Sequence, residues 1–181
     1  ASRRGIPGGT VIAPRNETEL KRAMYTGLQQ QKGPYIIRYP RGMGEGSDWR
    51  HDMPCVLPAG KGEKLKDGSD IAVLAVGPSA NRALEAAADL DKEGISVAVY
   101  DMRYLKPLDT SILDEVARGF STVVTVEDGM ISGGLGSAVL EYFADKGYKA
   151  SVTRLGIPNT FVEHGSTKEL YQMLKLDKEG L

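Results

Sequence analysis

From residue 71 onward the chain alternates short apolar runs with helical stripes, and that alternation constrains its fold more than any other feature. Residues 71–76, Ile-Ala-Val-Leu-Ala-Val, form a continuous apolar run of the kind buried on both faces of a sheet. Gly77-Pro78-Ser79 turns from it into a stripe of Ala80, Ala83, Leu84, Ala87 and Leu90, and Gly94 ends that helix. A second strand is expected at 97–100. Pro107-Leu108-Asp109 then opens a helix carrying Ile112, Leu113 and Val116. A third strand at 123–126 leads through Gly133 and Gly136 into a helix with Ala138, Leu140, Tyr142 and Phe143. A fourth strand at 152–155 and a last helix at 167–174 complete the pattern. Strands alternating with helices predict an α/β domain with a mostly parallel sheet and right-handed crossovers.

The first 70 residues read differently. A short strand is expected at 11–13. Asn16 caps a helix with Glu19 three residues on, a capping-box variant, and the helix places Leu20, Met24 and Leu28 on one face. Lys32-Gly33-Pro34 stops it, and a strand at 35–39 comes next. This strand–helix–strand unit is too small to stand alone. It is expected to be the tail of a domain whose beginning is missing, and to be less protected than the chain from Ile71 onward. Residues 46–70 read as a linker with a short hairpin, its strands within 54–66 turning at Gly60.

The strongest functional signal is Arg38-Tyr39-Pro40-Arg41-Gly42. Pro40 holds Tyr39 extended and ends the ladder, so Arg41 and Gly42 sit just past the carboxyl end of a strand. That end is where ligands bind in open α/β sheets. Two guanidiniums three residues apart suit a phosphate or carboxylate, and equally suit ordinary surface ion pairs.

Other candidates are weaker. Ser132-Gly133-Gly134-Leu135-Gly136-Ser137 could cradle an anion at a helix start. It lacks the third glycine, the early position and the downstream acid of a dinucleotide site, so tight turning and close packing are expected instead. Glu127-Asp128-Gly129 is similar to the Gly-Asp-Gly metal motif of thiamine-diphosphate enzymes but carries Glu first and lacks the Asn-Asn partner. No metal site is expected there, which leaves the acidic pair as a candidate for a domain or subunit contact. His164, beside Glu163, and His51 are expected to be exposed loop residues, and Cys55 an unreactive thiol. The single cysteine excludes an internal disulfide and fits a reducing compartment, and cytoplasm is expected. A formal net charge of -1 gives no global attraction to nucleic acid or anionic membrane. No apolar run approaches the ~20 residues a bilayer span needs.

Taken together, several stretches resemble the C-terminal part of the 1-deoxy-D-xylulose-5-phosphate synthase family, of the transketolase superfamily. They include Ile6-Pro7 through Ala13-Pro14, the Arg38 to Gly42 motif, and Asp101-Met102-Arg103-Tyr104-Leu105-Lys106-Pro107-Leu108-Asp109. Thr125-Val126-Glu127-Asp128-Gly129, the Gly133 to Ser137 loop, and Leu155-Gly156-Ile157-Pro158 through His164-Gly165 continue the match. The family usually has Asp where Asn159 stands and Gly where Lys175 stands.

The resemblance implies a transketolase C-terminal-like three-layer domain at 71–181, a linker at 46–70, and the tail of a pyrimidine-binding α/β domain at 1–45. It implies a homodimeric transferase using thiamine diphosphate and Mg2+ to join pyruvate to glyceraldehyde 3-phosphate, in isoprenoid and thiamine biosynthesis. The cofactor, metal and catalytic residues would lie upstream. None is expected to be bound by this chain, which is expected to be inactive alone. Arg41 would hold the acceptor's phosphate, with Arg38 in support. The Lys106 to Asp109 stretch also resembles the β subunit of 2-oxo-acid dehydrogenases. A free-standing, non-catalytic α/β binding module using the Gly133 to Ser137 loop is the remaining alternative.

Overall fold

A computed structural model describes residues 2–30 and 33–181. The N-terminal part is a short parallel unit of β1 (Thr10–Ile12), α1 (Glu17–Gln29) and β2 (Tyr35–Ile37). After a long loop come β3 (Glu63–Lys66), β4 (Ile71–Val76), α2 (Ser79–Lys92), β5 (Val97–Asp101) and β6 (Tyr104–Lys106). The chain continues through α3 (Thr110–Gly119), β7 (Thr122–Met130), α4 (Leu135–Lys146), β8 (Ser151–Ile157) and α5 (Thr167–Leu174).

Five strands form the main sheet in the order β3-β5-β4-β7-β8. The β4–β5, β4–β7 and β7–β8 pairs are parallel, and β3 alone runs antiparallel at the edge. The expected three layers are present. One face of the sheet buries Leu74, Tyr100 and Val123 with Leu113 and Val116 of α3 and Val139 and Phe143 of α4. The other buries Ala75, Val99 and Val126 under Ala80, Ala83 and Ala87 of α2. Small alanines let α2 approach the sheet closely. Asp109 caps α3 through the amides of Ser111 and Ile112, as its place after Pro107 predicts.

Four features depart from or add to the expectations. The hairpin in 54–66 does not form, because β3 pairs with β5 instead: Lys64 lies opposite Tyr100 and Glu63 opposite Asp101. A nearby edge with free backbone groups outcompetes a local turn. Second, β6 was not expected, yet it pairs antiparallel with β1 to complete a second sheet, β2-β1-β6. Third, the apolar stripe of α1 faces outward: Met24 and Leu28 are 54% and 84% exposed. The opposite face is buried, with Ala23 packed against Ile12, Leu57 and Tyr104. Fourth, the Asn16 side chain does accept from the Glu19 amide, but the Glu19 carboxylate does not close the box. It accepts from the Arg15 amide and from Arg103 Nε. Of the expected helix stop, Lys32 lies outside the described residues.

Candidate functional site

The Arg38 to Gly42 turn lies just beyond β2. Arg38 still donates its amide to Ile12 O at 2.8 Å, which continues the β1–β2 pairing for one residue. Gly42 then takes φ +147°, a backbone conformation open to glycine almost alone. Arg41, between Pro40 and Gly42, is exposed and makes no hydrogen bond or ion pair among the described residues.

Arg38 is held differently. Its Nη2 stands 3.1 Å from Asp128 Oδ2. Asp128 comes from an irregularity in β7: the pairing with β8 shifts between Val126 and Met130. Such a bulge re-aims the side chains it carries. Tyr171 of α5 donates its hydroxyl to the same Asp128 oxygen at 2.9 Å. Burial, and secondarily Asp128, raises the Tyr171 pKa, so the phenol keeps its proton at neutral pH. The guanidinium of Arg82 stacks 4.1 Å from the Tyr171 ring while bonding Leu176 O and Ser79 Oγ.

Arg38, Arg41, Asp128, Thr167 and Tyr171 line a cleft of about 410 Å³. A smaller cleft of about 150 Å³ shares Arg41, Thr167 and Tyr171 with it and adds Arg82. The sequence placed Arg41 and Arg38 together, and the structure keeps them so, with one guanidinium paired and one free. A free guanidinium beside a paired one can take a dianion without first breaking an ion pair. Of the acidic pair, Asp128 reaches Arg38 of the N-terminal part, while Glu127 turns inward. Tyr171 was missed by sequence reasoning.

The glycine-rich loop does not fit a phosphate or diphosphate. Glu127 occupies it: its Oε1 accepts from the Gly136 amide at 3.1 Å, and a Cβ on Gly134 would lie 1.9 Å from Glu127 Oε2. Burial raises the Glu127 pKa on balance, and the amides of Leu135 and Gly136 partly offset it. The helix start thus takes an internal carboxylate as its anion. The module reading loses its proposed site. Gly136 also allows close packing, since a Cβ there would meet Thr125 Oγ1 at 2.6 Å. His164 and Cys55 are exposed, as is His51, whose Nδ1 is 2.9 Å from Asp48. Among the described residues no group of three His, Cys, Asp or Glu could hold a metal ion. No helix there is long and apolar enough to cross a membrane.

The model of the transketolase C-terminal domain matches residues 60–181. The chain belongs to the transketolase C-terminal domain family. The matched region begins inside the segment read as linker, just before β3, and carries the whole main sheet.

The chain is 51% identical over 178 residues to the 1-deoxy-D-xylulose-5-phosphate synthase of Parabacteroides distasonis, and 51% over 179 residues to that of Bacteroides thetaiotaomicron. Each alignment takes in 98% of this chain, which spans 28% of the length of these curated relatives. Among solved structures, a split-gene transketolase described as an inactive β4 tetramer superposes with a TM-score of 0.85 and 31% identity. It covers 98% of this chain and 56% of its own. A transketolase variant from Pichia stipitis, 19% identical with a TM-score of 0.69 over 98% of this chain and 24% of its own, shares the fold.

Proposed function

We propose that this chain is the C-terminal part of a thiamine-diphosphate-dependent 1-deoxy-D-xylulose-5-phosphate synthase, with residues 1–45 the tail of its pyrimidine-binding domain. The observation that carries the reading is a free guanidinium, Arg41, at a strand end in a chain 51% identical to such synthases. The same relatives favour a synthase over a 2-oxo-acid dehydrogenase β subunit. The intact enzyme joins pyruvate to glyceraldehyde 3-phosphate with loss of CO2, supplying isoprenoid precursors. It works as a homodimer in the cytoplasm.

Thiamine diphosphate, held with Mg2+ by residues outside this chain, supplies the carbanion chemistry. The glycine-rich start of α4 holds Glu127 in place of an external anion, so this chain is proposed not to bind the diphosphate and to be inactive alone. Its own contribution is acceptor recognition. Arg41 binds the dianionic phosphate of glyceraldehyde 3-phosphate in the cleft beside Tyr171. Gly42 turns the backbone away and leaves the guanidinium free, and Arg38 supports it.

A charge-assisted contact of this kind contributes about 1.5–3 kcal/mol. In the full-length enzyme, Arg41→Ala is therefore expected to lower kcat/KM for glyceraldehyde 3-phosphate by ~10–150-fold. The KM for pyruvate should barely move, and unphosphorylated glyceraldehyde should lose far less. Steady-state kinetics with the two acceptors tests this. Equal losses for both would make Arg41 structural.

A further inference from the structure

Among the described residues nothing holds the Arg41 side chain directly, so its position depends on the turn that carries it. That turn has few anchors. Its backbone is fixed at the Arg38 amide, and residues 39–46 beyond it are exposed. At its far end the loop is tied to α1, where the amides of Gly46 and Ser47 donate to the Glu17 carboxylate. Nearer Arg41 the anchor is the Arg38 guanidinium, and its partner belongs to the C-terminal domain: Asp128, 3.1 Å away. Asp128 in turn accepts the Tyr171 hydroxyl, and Tyr171 is packed under Arg82. A connected path therefore runs from α2 through α5 and the β7 irregularity to the turn.

We propose that Asp128 and Tyr171 are positioning residues: by fixing Arg38, they hold Arg41 where an acceptor's phosphate binds. The assignment rests on the proposed role of Arg41 in phosphate binding. It gives the C-terminal domain a part in substrate recognition through geometry, without touching the substrate.

A second role for Asp128 makes the opposite forecast. If its carboxylate merely masked positive charge in the cleft, removing that charge would strengthen attraction for a phosphate. Positioning requires the reverse, so the sign of the effect separates them.

The test uses the full-length enzyme carrying Asp128→Asn, Tyr171→Phe, Asp128→Glu or Arg41→Ala, with a thermal midpoint for each as a folding check. Asp128→Asn and Tyr171→Phe are expected to raise the KM for glyceraldehyde 3-phosphate about 3- to 10-fold with kcat within about twofold, the effect of losing one net hydrogen bond. The KM for pyruvate and the kinetics with glyceraldehyde should stay unchanged. Asp128→Glu should restore part of the loss. The Asp128→Asn/Tyr171→Phe double variant should be no worse than Asp128→Asn alone, because the two act as a unit. A lower KM in Asp128→Asn, an unchanged KM in both single variants, or an equal rise with both acceptors would overturn the positioning role. If Arg41→Ala is impaired toward the phosphorylated acceptor while Asp128→Asn and Tyr171→Phe are not, only the positioning role falls. If Arg41→Ala is unimpaired, the reading of Arg41 falls and takes this proposal with it.

Discussion

Lys175 stands at a position where the family resemblance leads us to expect glycine, and its backbone gives that expectation a physical meaning. It caps α5 at φ +53° and ψ +44°, the left-handed conformation, with its amide donating to Gln172 O and Tyr171 O. An L-residue with a Cβ pays about 1–2 kcal/mol there. Lys175 is exposed, so its charge at the helix C-terminus returns only about 0.3 kcal/mol, and the flexibility of an unfolded glycine costs about 0.5–1. Strain edges out the sum, so Lys175→Gly should stabilise the chain by roughly 0.5 kcal/mol, about 1–2 °C in thermal midpoint. A lowered midpoint in a calorimetric scan would show that the helix-end charge dominates. The candidate site was legible to a similar, uneven degree. Arg41 could be found because Pro40 and Gly42 announce their backbone geometry locally. Tyr171 could not, since its bond to Asp128 spans 43 positions and a tyrosine in a short helix carries no local mark of its partner.

At the scale of elements, whatever rested on local periodicity was readable: β4 and α5, and the helix that Asp109 caps. Non-local pairing was not. The β3–β5 and β1–β6 ladders join segments whose own sequences contain no statement of partner. Helix α1 shows a different limit, because an apolar stripe reveals a face to be covered but not what covers it. Met24 and Leu28 point outward here, and the helix is seated by Ala23 against Ile12 and Tyr104. The outward stripe is where preceding residues of the proposed pyrimidine-binding domain would pack. Replacing Met24 with Glu and Leu28 with Lys adds a favourable i,i+4 pair worth about 0.3–0.5 kcal/mol. In this chain by itself the pair should leave the denaturation midpoint unchanged or slightly raised. In the full-length enzyme it should cost at least about 2 kcal/mol, by burying charge in an apolar contact. Equal behaviour in the two settings, read by urea titration, would mean that nothing covers this face. Ala23→Asp, on the buried side, should destabilise both.

Across the whole molecule, the question is whether the N-terminal part is a separate, loosely held unit, as its size suggested, or belongs to the main fold. Its contacts argue for a split within it. β1 lies between β2 and β6 and is buried throughout, with the Ala13 amide donating to Arg103 O at 2.9 Å. Arg103 itself reaches Glu19 at 2.6 Å and Glu63 at 2.8 Å, and Arg15 and Asn81 exchange two hydrogen bonds. Ile12, Leu57 and Tyr104 share one small core, each contributing on the order of 1.5–3 kcal/mol by burial. These contacts tie β1 to the C-terminal domain. The loop from Tyr39 to Glu45 is exposed along its length, and the anchor that follows it is local: the amides of Gly46 and Ser47 donate to Glu17. Hydrogen exchange should therefore divide the first 46 residues: the amides of Ile12 and Ala13 should exchange in the slow class with β4, and those of residues 41–45 near the unprotected rate. Mass spectrometry of peptides from 8–15, 38–50 and 70–77 resolves the three. If the 8–15 peptide exchanges as fast as 38–50 under conditions where β4 stays protected, the N-terminal part detaches as one body, and the β1–β6 pairing contributes little to holding the molecule together.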